Sequence, residues 1–248
     1  MDPEPITADP TKRIRRPVFI QSWEPCAFLH WPVEVRDVTP LLPPGCQADT
    51  FEGRTYVGLI PLVIRRVQLF GRRPLPYVST FVELNVRLYS VDAEGRRGIV
   101  FRSLDAERLL PVLAAQATYR LPYKWARMSY DRSGDEHRWT SVRRWPGPRG
   151  ARLTTRIRVG AEIAQPDPFA RFLTARWNLH TALPGRQTAY AATEHDPWPL
   201  YHAEVLELDE DVIAAAGLPT PTGDPHVLFS YGVTARIGRP IRVRPSHG

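Results

Sequence analysis

The chain of 248 residues has a length that fits one large β-rich domain or two small ones. Its hydrophobic share (43%) and charged share (24%) are those of an ordinary globular protein, which excludes a chain too polar to form a core. The net charge of +7 comes almost entirely from arginines scattered along the chain. No recognised binding motif accompanies them, so we expect no nucleic-acid partner.

Targeting and membrane segments are not evident in the sequence. No apolar run reaches the roughly 18 residues that a membrane span needs, so we expect no membrane association. The N-terminus lacks the apolar stretch of a secretion signal. We therefore predict a cytoplasmic protein.

The chain reads as a single domain with two short extensions. Residues 1–16 are polar, proline-containing and basic at their end, and we expect them to form a flexible lead-in. No long polar linker divides residues 17–238, which we assign to one β-barrel domain, and residues 239–248 are assigned to a tail. The 26 prolines, roughly twice the usual share, argue against a mainly helical protein because proline cannot donate to a β-ladder.

Hydrophobic periodicity indicates many strands and a few helices. Strands with helices inserted at intervals are typical of an α+β protein. We predict a mainly antiparallel β-barrel with a few external helices, because closure removes exposed strand edges. The helices are predicted at 35–42, 105–120 (with Asp105 as N-cap), 167–177 and 209–216, and the strands at 26–33, 55–70, 81–91, 98–101, 123–130, 138–145, 152–159, 187–194, 201–208 and 227–237.

A polar row stands out in the predicted strand 81–91. Glu83, Asn85 and Arg87 follow the two-residue period of a strand and therefore share one face. If that face points into a barrel, the three side chains line a pocket together. The alternative is a solvent-facing strand surface, and the pattern alone leaves both open.

Lys124 is the only lysine in the body of the protein and lies between Tyr123 and Trp125. Burial or a nearby cation lowers the pKa of such an amine, and a neutral amine can form a Schiff base with a carbonyl. The alternative is an exposed lysine whose stem covers Trp125.

Metal and cofactor signals are absent from the sequence. The seven histidines show no ligand spacing and there are only two cysteines, so we expect no metal site. The sequence has no phosphate-binding glycine loop and no nucleophile elbow, and no cofactor is expected. His195 could act as an acid or base, although Pro/Trp segments such as the one around it are more often packed corners.

Nine short motifs follow one another in order from about Trp23 to Val233. They are Phe28-Leu29-His30-Trp31-Pro32-Val33, Leu42-Pro43-Pro44-Gly45, Asp49-Thr50-Phe51-Glu52-Gly53, Glu83-Leu84-Asn85-Val86-Arg87-Leu88-Tyr89, Phe101-Arg102-Ser103-Leu104-Asp105-Ala106, Tyr119-Arg120-Leu121-Pro122-Tyr123, Phe172-Leu173-Thr174-Ala175-Arg176-Trp177, His195-Asp196-Pro197-Trp198-Pro199-Leu200 and Tyr231-Gly232-Val233. Through these motifs the sequence resembles the YqjF-like family (DUF2071). The resemblance implies the fold of the acetoacetate-decarboxylase-like superfamily, a cone-shaped antiparallel β-barrel with external helices and a central cavity. Enzymes of that superfamily form a Schiff base between a lysine and a keto acid.

The decarboxylase motif, a proline followed by two lysines, can be laid over Pro122-Tyr123-Lys124. Tyr123 then falls where the Schiff-base lysine of the enzymes would lie, and Lys124 falls on its neighbour. A shift of one residue turns a side chain to the other face of a strand, so we expect Tyr123 rather than Lys124 to face the cavity. Glu83 is similar to a cavity glutamate of the enzymes, whereas Asn85 and Arg87 look like an addition of the YqjF-like family.

Three hypotheses follow. The first is a protein that acts on or binds a small carbonyl or carboxylate metabolite, with a lyase-type step such as decarboxylation, dehydration or aldol chemistry. The second is a non-catalytic small-molecule binding protein that uses the same cavity, and the third is a filled barrel without one. The sequence leaves open whether the protein forms a homo-oligomer. The candidate catalytic residues are Glu83, Tyr123 and, if it faces inward, Lys124; the candidate substrate-binding residues are Arg87, Asn85, His30, Arg176 and His195.

Overall fold

The computed structural model describes residues 3–74, 79–108 and 121–243. Among these residues, no helix is long and apolar enough to cross a membrane. The helices are α1 (Val35–Val38), a 3-10 turn (Thr39–Leu41), α2 (Pro168–Thr174) and α3 (Val212–Ala215). The strands are β1 (Phe19–Val33), β2 (Gln47–Ala48), β3 (Thr55–Leu69), β4 (Phe81–Val91), β5 (Arg97–Ala106), β6 (Tyr123–Ser133), β7 (Glu136–Trp145), β8 (Arg152–Glu162), β9 (Asn178–Leu183), β10 (Gln187–Glu194), β11 (Tyr201–Glu210), β12 (His226–Ser230), β13 (Val233–Ile237) and β14 (Ile241–Arg242).

The sheet closes on itself in two ways, because β1 and β5 each change partner along their length. The first half of β1 pairs with β13 and its second half with β12. The start of β5 pairs with β9 and its end with β6. We call the ring β1-β12-β11-β8-β7-β6-β5-β4-β3 the packed ring, and the ring β1-β13-β10-β9-β5-β4-β3 the cavity ring.

This architecture confirms the predicted α+β fold, a mainly antiparallel barrel with a few short helices. Parallel pairing occurs where β5 meets β6 and β9. The meander β6-β7-β8 is antiparallel throughout, as the sequence predicts. Three short strands, β2, β9 and β14, were not predicted; β14 lies in the segment assigned to a tail and pairs with β10.

Strand β4 belongs to both rings and is buried along its whole length. One face carries Val82, Leu84, Val86 and Leu88, which lie in a hydrophobic core with the inner residues of β7 and β8, including Trp139. That core fills the packed ring. The opposite face of β4 carries the polar row, so the two-residue period of one strand separates a dry core from a polar wall.

The predicted N-cap at Asp105 is wrong. Asp105 lies in β5, where it pairs with Leu84 of β4 and Lys124 of β6. Its carboxylate forms a buried ion pair with Arg143 (2.8 Å), and Ser103 donates a hydrogen bond to it. A buried carboxylate with these partners keeps the chain extended instead of capping a helix; residues 109–120 of the predicted helix lie outside the described residues.

Residues 3–16 run along the outside of the cavity ring and make specific contacts with it. The backbone of Glu4 accepts a hydrogen bond from the Arg97 guanidinium, and the Glu4 carboxylate accepts one from the Arg97 backbone. Trp177 donates its indole N–H to the carbonyl of Thr7, and Arg236 donates to the carbonyl of Ile14. These contacts place the segment against strands β5, β9 and β13.

Candidate functional site

The cavity ring encloses a cavity of about 560 Å³. Strands β1, β3, β4, β5, β9, β10 and β13 contribute its walls, together with the start of β6. The presence of this cavity excludes the filled barrel for this half of the protein. Most of its surface is apolar, and its polar side chains concentrate on β4 and on the segments that face it.

The polar row of β4 forms one wall of the cavity. Glu83, Asn85 and Arg87 are all buried and all line it. The alternative of a solvent-facing row is therefore wrong, because the second face of β4 is covered by the cavity ring. The amide oxygen of Asn85 has no hydrogen-bond partner among the described residues.

Glu83 and Tyr123 form a hydrogen-bonded pair inside the cavity. The Tyr123 hydroxyl donates to Oε2 of Glu83 at 2.8 Å. Burial raises the pKa of Glu83 to about 7, and the hydrogen bonds from Tyr123 and Asn85 oppose part of that rise. Burial and the nearby Glu83 carboxylate raise the pKa of Tyr123 well above its usual value. Glu83 is therefore poised to exchange a proton near neutral pH, while Tyr123 stays a donor.

Arg87 is a buried cation for which the described part of the chain provides no carboxylate partner. Its Nη2 donates to the carbonyl of Leu173 (2.8 Å) and its Nε to the hydroxyl of Tyr89 (3.3 Å), and it forms no ion pair with any described residue. The guanidinium also lies over the ring of Phe28, 5.5 Å from its centroid. Buried charges in proteins are usually paired, so an unpaired guanidinium at a cavity wall is suited to receive an anion.

Gly58 gives Arg87 and His30 the room they occupy. Gly58 on β3 pairs with Arg87 on one side and with His30 on the other. A Cβ at this position would lie 3.0 Å from Nε2 of His30 and 3.1 Å from Cγ of Arg87. The absence of a side chain therefore lets the two polar residues approach across the strand.

His30 lies outside the residues that line the cavity. Its Nε2 is 2.6 Å from the Tyr89 hydroxyl, which itself donates to the carbonyl of Leu173. Because that hydroxyl proton is used, Nε2 of His30 is the donor to Tyr89. Burial lowers the pKa of His30 well below its usual value, and the charge of Arg87 adds to the effect. The neutral His30 thus donates a hydrogen bond to the Tyr89 hydroxyl, which also accepts one from Arg87.

His195 lines the cavity within a group of tryptophans. Its ring lies 4.7 Å from that of Trp177, 5.1 Å from that of Trp198 and 5.7 Å from that of Trp23, between ring centroids. Nδ1 lies 2.6 Å from the carbonyl oxygen of Asp196, so it carries the proton and donates. Burial lowers the pKa of His195 to about 4, which makes it a neutral imidazole at neutral pH.

Arg176 also lines the cavity, but its charge is already paired. Asp49 accepts hydrogen bonds from both Arg176 and Arg97. The guanidinium of Arg176 stacks over Phe172 (4.3 Å) and Tyr89 (4.8 Å) and donates to the carbonyl of Phe172. Arg176 therefore ties the cavity wall to α2, whereas the buried guanidinium of Arg87 forms no ion pair with any described residue.

Lys124 does not line the cavity. It neighbours Tyr123 on β6, and its amine is influenced by Arg143 and Asp105 on the opposite side of the strand. Burial and Arg143 lower the pKa of Lys124, and Asp105 opposes this. Tyr123 is the residue that enters the cavity, as the motif register predicts. The condition under which Lys124 would act as the nucleophile is not met.

The aromatic part of the site was not predicted. Trp23 and Trp198 are stacked with ring centroids 6.0 Å apart, and Phe28 meets Trp198 edge-on at 5.0 Å. The Pro/Trp segment around Trp198 was interpreted as a packed corner. Because a loop has no regular side-chain period, its sequence does not indicate which residues Trp198 contacts. In the described parts of the chain, no group of three or more His, Cys, Asp or Glu residues could hold a metal.

Solved structures with a similar fold define the fold class of this chain. The chain is similar to an acetoacetate decarboxylase-like enzyme from Sphingomonas wittichii RW1 (10% identity, 92% of this chain and 93% of that chain, TM-score 0.64). It is also similar to the enduracididine biosynthesis enzyme MppR complexed with pyruvate (13% identity, 94% and 92%, TM-score 0.61). Acetoacetate decarboxylase from Legionella pneumophila gives 11% identity, coverage of 93% and 92%, and a TM-score of 0.58. The fold is that of the acetoacetate decarboxylase-like proteins.

Within that class, the chain belongs to the DUF2071 family, whose description is "uncharacterized conserved protein" and whose model matches residues 20–234. The uncharacterized protein YqjF of Bacillus subtilis (strain 168) is 31% identical over 205 residues, which cover 83% of this chain and 84% of YqjF. The resemblance inferred from the sequence motifs is confirmed.

Proposed function

We propose that the cavity binds a small metabolite that carries a carboxylate next to or near a carbonyl group, and that Arg87 holds the carboxylate. The single observation that carries this proposal is the buried guanidinium of Arg87, which lines the cavity and has no ion-pair partner among the described residues. A planar guanidinium matches a carboxylate through two parallel hydrogen bonds. The MppR structure with pyruvate, a 2-keto acid, is consistent with this ligand class for the fold.

Acid–base chemistry on the bound ligand is the second candidate function. The observation that favours it is the pKa of Glu83, about 7, in a group that faces the cavity. As a carboxylate, Glu83 would take a proton from the carbon next to the ligand carbonyl, and the electron pair of that C–H bond would remain on the enolate. Such proton abstraction begins many lyase-type reactions, including aldol chemistry.

A Schiff-base route is not part of the proposal. The chain has only two lysines, Lys12 and Lys124. Lys12 lies over the ring of Tyr190, and neither lysine lines the cavity. The chemistry proposed for Glu83 needs no covalent intermediate, since a hydrogen-bonded enolate can be stabilised by cationic and polar donors.

Calorimetric titration with pyruvate and acetoacetate tests the binding proposal. Arg87→Gln removes the charge but keeps a polar side chain, and we expect it to weaken binding about 10- to 100-fold, the range for a lost charged hydrogen bond. Arg158→Gln, on the exposed face of β8, is the matched control and should leave the affinity unchanged. Equal affinity in Arg87→Gln, or no binding of any acid by the wild-type protein, would overturn the proposal.

Deuterium incorporation tests the second candidate. Pyruvate is incubated with the protein in D2O, and exchange of its methyl protons is followed by NMR spectroscopy. We expect exchange above the protein-free rate, and its loss in Glu83→Gln. Binding without accelerated exchange would leave a binding protein and exclude proton abstraction by Glu83.

A further inference from the structure

The cavity is larger than a keto acid of pyruvate size requires. Its volume of about 560 Å³ corresponds to roughly 20 water molecules at about 30 Å³ each. It falls within the range of roughly 300–1,000 Å³ that is typical of sites for larger organic ligands. A ligand with only a carboxylate and a carbonyl would therefore leave most of the cavity filled with solvent.

Charged side chains lie in two parts of this space: Glu83, Arg87 and Arg176 are buried on and beside β4, and Arg72 and Arg73, which follow β3, are exposed. Arg87 pairs with Gly58 on β3, and Val67 and Leu69, further along the same strand, line the same cavity. Positions 58 and 67 are nine residues apart along β3, which bends before Val67 because Arg66 adopts a positive φ of 54°. A carboxylate held by Arg87 would thus leave the rest of the ligand along a wall built by the second half of β3.

The part of the cavity next to Arg87 and Phe28 is suited to an apolar group. Trp23, Phe28 and Trp198 form a continuous aromatic surface, as their ring contacts show. Ile60, Leu62 and Phe81 face the same space and belong to one hydrophobic cluster. His195, whose ring lies 5.1 Å from that of Trp198, is neutral because burial lowers its pKa to about 4. Arg87 lies over Phe28, at one edge of the aromatic surface.

From these observations we infer that the ligand is a carboxylic or 2-keto acid with a large apolar body, aromatic or a medium-length aliphatic chain. Its carboxylate binds Arg87, and its body lies against Trp23, Phe28 and Trp198. This inference rests on the proposed function, since it takes the carboxylate from it, and it adds the class of substrate. Each further buried methylene group strengthens binding by about three- to fourfold.

A series of 2-keto acids of increasing size tests the inference by calorimetry: pyruvate, 2-oxobutanoate, 2-oxohexanoate, 2-oxooctanoate and phenylpyruvate. We expect affinity to rise along the aliphatic series and phenylpyruvate to bind at least 10-fold more tightly than pyruvate. Equal or weaker binding of both 2-oxooctanoate and phenylpyruvate would overturn the inference while leaving the proposed function intact. Octanol is included as an apolar probe: if it binds and no acid does, the proposed function fails instead.

Two substitutions distinguish the ends of the ligand. Trp198→Ala removes part of the aromatic surface and should lower the affinity for phenylpyruvate at least 10-fold more than the affinity for pyruvate. Arg87→Gln should weaken both acids by the same factor. Trp145→Ala removes an exposed tryptophan that does not line the cavity and is the matched control. An unchanged phenylpyruvate-to-pyruvate ratio in Trp198→Ala, with the fold retained by circular dichroism, contradicts the inference.

Discussion

The Tyr123 hydroxyl donates a hydrogen bond of 2.8 Å to Glu83 across β5, the strand that lies between them. Both side chains reach the same cavity because each is in register with the inward-facing residues of its strand. The hydrogen bond favours the ionised form of a carboxyl group that burial otherwise keeps protonated. The pair therefore decides which protonation state Glu83 has at neutral pH.

Tyr123→Phe should raise the pKa of Glu83. The substitution removes the largest of the interactions that lower this pKa and leaves the burial unchanged. We expect the carboxyl group to titrate at a higher pH than in the wild-type protein, measured by carbon-13 NMR of labelled glutamate. Tyr130→Phe is the control, since its hydroxyl contacts His137 and not the cavity. An unchanged or lower titration midpoint in Tyr123→Phe would contradict the assignment of this hydrogen bond.

Glu83 should make the protein less stable as the pH rises. Its pKa is about 7 in the folded state and 4.5 as the reference value, so above pH 4.5 the unfolded chain releases a proton that the folded protein retains. Stability then falls between pH 4.5 and 7 and is lowest above pH 7, by about 3 kcal/mol for this shift.

Urea unfolding at several pH values measures this effect. The free energy of unfolding of the wild-type protein is subtracted from that of Glu83→Gln, which cannot ionise. The difference should be constant below pH 4.5 and should grow in favour of Glu83→Gln up to about pH 7. A difference that does not depend on pH would show that Glu83 is not held in an environment that raises its pKa.

Local pattern was sufficient to predict much of the fold. The alternation in 81–91 gave β4 with its bounds and its two faces, because a strand places successive side chains on opposite sides. Asp167, the first residue of the predicted helix 167–177, accepts a hydrogen bond from the backbone of Ala170 at the start of α2, which ends at Thr174. Asp105 was misassigned because the sequence alone does not distinguish an aspartate that caps a helix from one that forms a buried ion pair. The partner, Arg143, is distant in the sequence.

Only the site residues that follow from the pattern of a single strand or motif were predicted. Glu83, Asn85 and Arg87 share one strand, and the motif register placed Tyr123 rather than Lys124 inside the cavity. The second wall depends on how distant segments meet. Trp198 packs against Trp23 because the tertiary fold brings these two distant segments together. No local sequence pattern predicts such a contact.

Gly58→Ala should damage both stability and ligand binding. The new methyl group would lie 3.0 Å from His30 and 3.1 Å from Arg87, so both side chains must move. We expect a loss of about 1–3 kcal/mol in the free energy of unfolding, together with weaker binding of acids that use Arg87. Gly160→Ala is the matched control on β8, where the added carbon meets its nearest neighbour at an ordinary 3.4 Å. Equal effects of the two substitutions would rule out a specific role for Gly58.

Asp49→Asn should be strongly destabilising. Asp49 is buried and pairs with Arg97 and with Arg176, which is itself buried against Tyr89 and Phe172. Removing the carboxylate charge leaves these guanidinium groups without their anion, and breaking a buried pair costs about 3–5 kcal/mol.

The control for this prediction is Asp209→Asn, which removes an exposed ion pair with Arg152. Exposed pairs contribute about 1 kcal/mol or less, so this variant should unfold at nearly the same urea concentration as the wild-type protein. Because Arg176 lines the cavity, Asp49→Asn should also change acid binding in whatever fraction remains folded. If Asp49→Asn loses no more stability than Asp209→Asn, the ion pairs of Asp49 with Arg97 and Arg176 do not hold α2 and the cavity wall together.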